Sequence, residues 1–112
     1  MDAAAAEQSL DVEKIVYHAE RPGFRITELR ISPTQQVPWH SHSHIQDTFF
    51  VLEGRLRLSL GDPDEVVELD SGESWGPVRA GRPHVVTNAG ETSTTFFVIQ
   101  GVGEYDYIPL PD

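Results

Sequence analysis

Four of the five histidines in this 112-residue chain fall in two short stretches. His40, His42 and His44 alternate with serines in Trp39-His40-Ser41-His42-Ser43-His44, and His84 follows about forty residues later. Residues two apart in an extended segment point to the same side, so His40 and His42 can present two imidazoles toward one point. Asp47 lies shortly after them, where a turn can bring its carboxylate back toward that point. His84 comes after the turn-forming Gly81-Arg82-Pro83 and opens an apolar run, so it approaches from a different strand. Imidazoles with a carboxylate suit one divalent ion of the Fe, Mn, Co, Ni or Zn group, and the residue types alone do not rank these. A bare H-x-H between serines is more often a solvated loop, so the two stretches have to be read together. His44 is read as exposed or as a neighbour of the ligands, because the chain must turn after His42. Arg79 and Arg82, on the turn before His84, could pair with a substrate carboxylate. The commoner role of such residues is surface charge, above all for Arg82.

Other chemistries have little to work with. The chain has no cysteine, which removes disulfides, thiolate nucleophiles and Cys-based metal sites. Lys14 is its single lysine and lies far from the histidines in sequence. No Ser, Cys or Lys nucleophile is evident, so a bound ion would have to carry any reaction.

The elements that must position these residues read as strands. Glycine or proline recurs every few residues after residue 10, and between these breaks lie short runs rich in β-branched and aromatic side chains. The runs are Lys14–His18, Phe24–Ile31, Thr48–Leu52, Arg55–Leu60, Glu65–Leu69, His84–Thr87, Thr95–Gln100 and Glu104–Ile108. Arg55-Leu56-Arg57-Leu58-Ser59-Leu60 alternates strictly, as a half-buried antiparallel strand does. Thr48–Leu52 leads into it through Glu53-Gly54, for which a tight hairpin is expected. If Asp47, Phe49 and Val51 share the inward face, Phe49 and Val51 line a pocket wall, while Trp39, Phe50 and Leu52 pack elsewhere. The acid–aromatic alternation of Glu104–Ile108 predicts an edge strand or a subunit contact. Many short strands without intervening helices leave an all-β sandwich or a closed barrel, and propensity does not choose between them.

The histidine segments carry a more specific pattern. His40-Ser41-His42, four further residues, Asp47, six more and Gly54 resemble the first motif of the cupin superfamily, with Thr34 in place of its first glycine and Asp47 in place of its glutamate. Gly72, Gly81, His84 and Asn88 resemble the second motif, with one extra residue after Gly72 and Arg79 where a proline is usual. The resemblance implies a single antiparallel double-stranded β-helix, or jelly-roll barrel. It also implies that His40, His42, Asp47 and His84 bind one divalent metal ion inside it, although the shorter Asp47 could reach that ion through water. On this reading residues 11–112 form the barrel domain, after a flexible N-terminal segment over 1–10.

Small cupins include oxygenases, isomerases, lyases and sugar-binding or sensing modules. The resemblance therefore implies a metal-dependent enzyme acting on a small oxygen-rich molecule, or else a non-catalytic module in which the metal orients a ligand. It further implies a homodimer. Eighteen acidic against eight basic residues give a formal net charge of −10, which repels phosphate backbones and anionic membranes. Neither nucleic acid nor membrane is an expected partner, and a small molecule is. No apolar run reaches the ~18–20 residues of a membrane span, and the acidic MDAAAAEQSL start lacks a signal-peptide core, so a cytoplasmic location is expected.

Overall fold

The structure, a computed structural model, describes residues 10–111. Ten strands follow one another: β1 (Lys14–Arg21), β2 (Phe24–Ile31), β3 (Gln36–Ser41), β4 (Gln46–Glu53), β5 (Arg55–Leu60), β6 (Glu65–Asp70), β7 (Ser74–Val78), β8 (His84–Asn88), β9 (Thr94–Gly101) and β10 (Ile108–Pro109). Among the described residues there is no helix, and so none long and apolar enough to cross a membrane. The strands form two five-stranded antiparallel sheets, ordered β1-β2-β9-β4-β7 and β10-β3-β8-β5-β6. Their inward faces close on each other as the expected jelly-roll barrel.

Alternation decides which side chains enter the core. The leucines of β5 are buried while its arginines are exposed, as the pattern of that segment requires. Leu56 and Leu58 from the second sheet meet the inner faces of β2, β4 and β9, where Ile31, Val51 and Phe96 are fully buried. Burying each such side chain contributes roughly 1.5–3 kcal/mol. Across the first sheet the register stacks inward residues in rows: Arg25–Gln100–Asp47, then Thr27–Val98–Phe49, then Leu29–Phe96–Val51. The barrel is thus polar at one end and apolar through its middle.

Two expectations about connections need correction. Glu53-Gly54 does not close a hairpin: β4 belongs to the first sheet and β5 to the second, so the turn is a corner between sheets. The corner is tight because a Cβ on Gly54 would stand 2.8 Å from Thr94 Cα, and its φ is +94°. Thr94 Oγ1 bridges the corner, accepting from the Arg55 amide and donating to the Arg55 carbonyl, both at 3.0 Å. The hairpins are instead β1–β2 and β5–β6. The second correction concerns Glu104–Ile108, where only Ile108–Pro109 is strand. Residues 104–107 run irregularly, with Tyr107 buried.

β3 and β7 were not foreseen, because Pro38 and the Gly76-Pro77 pair interrupt them. β7 lies at a sheet edge, where a proline costs no ladder bond. Of the N-terminal segment expected to be flexible, residues 1–9 lie outside the described residues, and Leu10 packs against the core.

Candidate metal centre

Three different strands bring the donors together. β3 pairs with β8 at Val37↔Val86 and His40↔His84, and the register slips between them, where Pro38 has no amide hydrogen to give. That bulge turns His40 inward although it is three residues from the inward Val37. His42 stands just beyond the end of β3, Asp47 is the second residue of β4, and His84 opens β8. All four are buried, none more than 3% exposed. One candidate ligand atom from each lies within 4.8 Å of all the others. The sequence-predicted set converges completely, while His44 is exposed and stays outside it.

Every imidazole in the cluster is held from behind by a carbonyl. His40 Nδ1 donates to Pro38 O at 2.7 Å, His84 Nδ1 to Arg82 O at 2.9 Å, and His42 Nδ1 to Asp106 O. A carbonyl only accepts, so the proton of each neutral ring sits on Nδ1 and the Nε2 lone pair faces the cluster. Nε2 of His42 and of His84 lie 3.1 and 3.2 Å from the same Asp47 Oδ2. Lone pairs facing a carboxylate oxygen at these distances repel unless a cation lies among them, and the cation is either a proton or a metal. The donor set therefore fits a divalent ion, with the tautomers already set for coordination.

The proton affinities follow the same logic. Burial, with His84 and His42 beside it, depresses His40 to about 3, so this ring stays neutral. Burial also opposes charge on His42, but the Asp47 hydrogen bond and charge outweigh it and raise its pKa. Asp47 lies well below the usual carboxylate range: burial works against ionisation, and the bonds from His42 and His84 overcome it. Beside the Asp47 carboxylate, His42 holds a proton more tightly than a free imidazole does, and an ion would compete with that proton.

Several neighbours escaped the sequence reading. Gln100 Nε2 donates to Asp47 Oδ1 at 3.0 Å and its Oε1 accepts from Arg25 Nη1 at 3.4 Å, so the amide is oriented from both ends. The Arg25 guanidinium lies 3.6 Å from the Tyr105 ring centre. Tyr107 stacks on His40 with ring centres 4.5 Å apart and planes 15° from parallel. Asp106, between these tyrosines, also caps the Ser43 amide through Oδ1 at 2.7 Å. The irregular 104–107 stretch is thus the wall of the site. Parity was the available signal: Gln100 on β9, and Arg25 and Thr27 on β2, occupy inward positions in strands whose other inward residues are largely apolar.

Arg79 is exposed, whereas the mostly buried Arg82 side chain donates to the carbonyls of Gly61 and Pro63 and to Glu65. Arg82 fastens a turn rather than standing free as a surface charge. Asn88, from the second motif, bonds the carbonyls of Ile31 and Thr92 and accepts from Gly90.

A small cavity of about 30 Å³ adjoins the donors, lined by His40, His42, Asp47, Thr27, Phe49 and Gln100 among others.

Comparison with known proteins agrees with this architecture. An uncharacterised conserved protein with a double-stranded β-helix domain from Klebsiella pneumoniae superposes with a TM-score of 0.75 at 19% identity, over 95% of this chain and 94% of that one. An oxalate oxidase gives 0.72 at 19% identity, over 80% of this chain and 47% of that one. The Lactobacillus farciminis oxalate decarboxylase in its formate complex gives 0.70 at 14% identity, over 86% of this chain and 33% of that one. This chain therefore spans about half of the oxidase and a third of the decarboxylase. None of the curated proteins compared with it matches. The family model described as "Cupin domain" matches residues 27–100, from the inward face of β2 to Gln100 and across all four donors, and the chain belongs to that family.

Proposed function

We propose that this chain holds one divalent metal ion through Nε2 of His40, His42 and His84 and one oxygen of Asp47, and that it is a metal-dependent enzyme acting on a small oxygen-rich molecule. The observation that carries the proposal is the trio of Nδ1–carbonyl bonds, which leaves three Nε2 lone pairs around a buried carboxylate. A divalent ion bound there supplies Lewis acidity and, in the case of iron or manganese, redox chemistry. Gln100 holds the far oxygen of Asp47, leaving Oδ2 toward the imidazoles. Phe49, Phe96 and Val98 supply apolar wall beside the donors, and a less polar surrounding strengthens each charge contact. No serine, lysine or cysteine lines it among the described residues; Thr27, Tyr105 and Tyr107 are its hydroxyl-bearing residues. The oxalate enzymes of like fold act, by name, on a small oxygen-rich acid, which is in keeping with this reading.

The small volume beside the donors favours one other reading, a binding or sensing module that captures a ligand without turning it over. Untagged protein analysed for metal by mass spectrometry and loaded with Fe(II) separates the two. Oxygen uptake or product formation with small keto acids, diols or sugars that disappears in His42→Ala supports the enzyme. Stoichiometric metal with ligand binding and no turnover supports the module. Protein that takes up no divalent metal even on reconstitution defeats both.

A further inference from the structure

Thr27 is the one inward residue of its row with a polar side chain: its neighbours across the sheet, Val98 and Phe49, are apolar. It is 2% exposed and lines the cavity together with His40, His42 and Asp47. Its Oγ1 is wholly buried and has no hydrogen-bond partner among the described residues. A buried hydroxyl left unpaired gives up its hydration for nothing, whereas valine would fill the same volume without that cost. A threonine at this position is accounted for by a polar group entering the cavity.

On the metal reading set out above, we infer that Thr27 is the ligand-recognising residue of the site, and that its ligand is a small 2-hydroxy or 2-oxo carboxylic acid. Such an acid has three oxygens, enough to meet the metal donors and the Thr27 hydroxyl together. Two adjacent oxygens face the metal donors, and the remaining carboxylate oxygen accepts from the Thr27 hydroxyl. Arg25, two residues along the same face of β2, donates to Gln100 in the neighbouring row and supplies positive charge there beside the Asp47 carboxylate.

The test uses glycolate as probe, titrated calorimetrically into the full chain loaded with Mn(II), in wild type, Thr27→Val and Thr27→Ser. The expected result is about tenfold weaker glycolate binding in Thr27→Val, equivalent to about 1.4 kcal/mol, with Thr27→Ser within a few-fold of wild type. The Mn(II) dissociation constant should be unchanged in both variants, and the melting temperature of Thr27→Val equal to or above that of wild type, because no bond within the fold is lost. Unchanged glycolate affinity in Thr27→Val overturns the inference, as does a lowered melting temperature, which would show the hydroxyl to be satisfied by the fold itself. If wild type binds Mn(II) but not glycolate, the ligand class is wrong and the metal site stands. If it binds no Mn(II), the underlying metal reading falls first and takes the inference with it.

Discussion

The Asp47 carboxylate divides its two oxygens between two tasks. Oδ2 lies against the Nε2 atoms of His42 and His84, and Oδ1 accepts from Gln100. The shorter side chain therefore reaches the imidazoles directly. Gln100 is itself locked by Arg25, so three inward residues on adjacent strands act as one orienting row. Replacing Gln100 with leucine should free Oδ1 and let the carboxylate rotate. Loss of an outer partner of this kind typically weakens metal affinity by about 10–100-fold. Competition against a chromophoric chelator measures this, and affinity equal to wild type would remove Gln100 from the site. The four candidate donors were legible in the sequence because the short stretches that carry them resemble the two cupin motifs. Gln100 was not, since it lies 53 residues from Asp47 in sequence and only strand register brings the two together.

Among the elements, the β4–β5 corner matters most for the geometry, because it carries the chain from the sheet holding Asp47 to the sheet holding His40 and His84. Gly54 is at its apex, with a left-handed φ and Thr94 packed where a Cβ would be. Gly54→Ala should destabilise the fold by about 2 kcal/mol or more, from left-handed strain added to the clash. Urea denaturation reads this directly, and wild-type stability in the variant would mean that the corner relaxes at no cost. Strand positions were readable in the sequence wherever alternation was clean, as in β5. Sheet membership was not, because a glycine turn looks the same in a hairpin as in a corner. Likewise the acid–aromatic alternation of 104–107 mimicked a strand, while its tyrosines and the Asp106 carbonyl serve His40 and His42. A periodicity of two records which residues face inward, and an irregular segment crossing a barrel mouth can satisfy it too.

For the whole molecule, the buried cluster ties stability to pH and to metal together. His40 titrates near 3 in the fold and near 6.5 when unfolded, so below pH 6.5 the unfolded chain binds the extra proton. Metal-free stability should therefore fall as pH drops from about 6.5 toward 3, by up to about 1.4 kcal/mol per unit from this group. Asp47, also depressed, contributes stability above its ordinary 3.8 and loses it below, which steepens the acid limb. His42 has the opposite sign: its contribution is present below 6.5 and fades as pH rises through its raised value. A metal ion reverses the balance on the neutral side, because it needs all three Nε2 atoms free of protons and competes with the proton on His42. At a free concentration of 100 times its Kd, a metal that binds only the folded chain adds about 2.7 kcal/mol, roughly 10 °C or more in melting temperature for a domain of this size. At a fixed metal concentration that gain should be largest near pH 8 and shrink steadily toward pH 5. Thermal melts at intervals across this range, with and without Mn(II), give both curves at once. A metal-induced rise that does not vary with pH would place the ion somewhere other than among these histidines, since no site built on protonatable imidazoles can be indifferent to the proton.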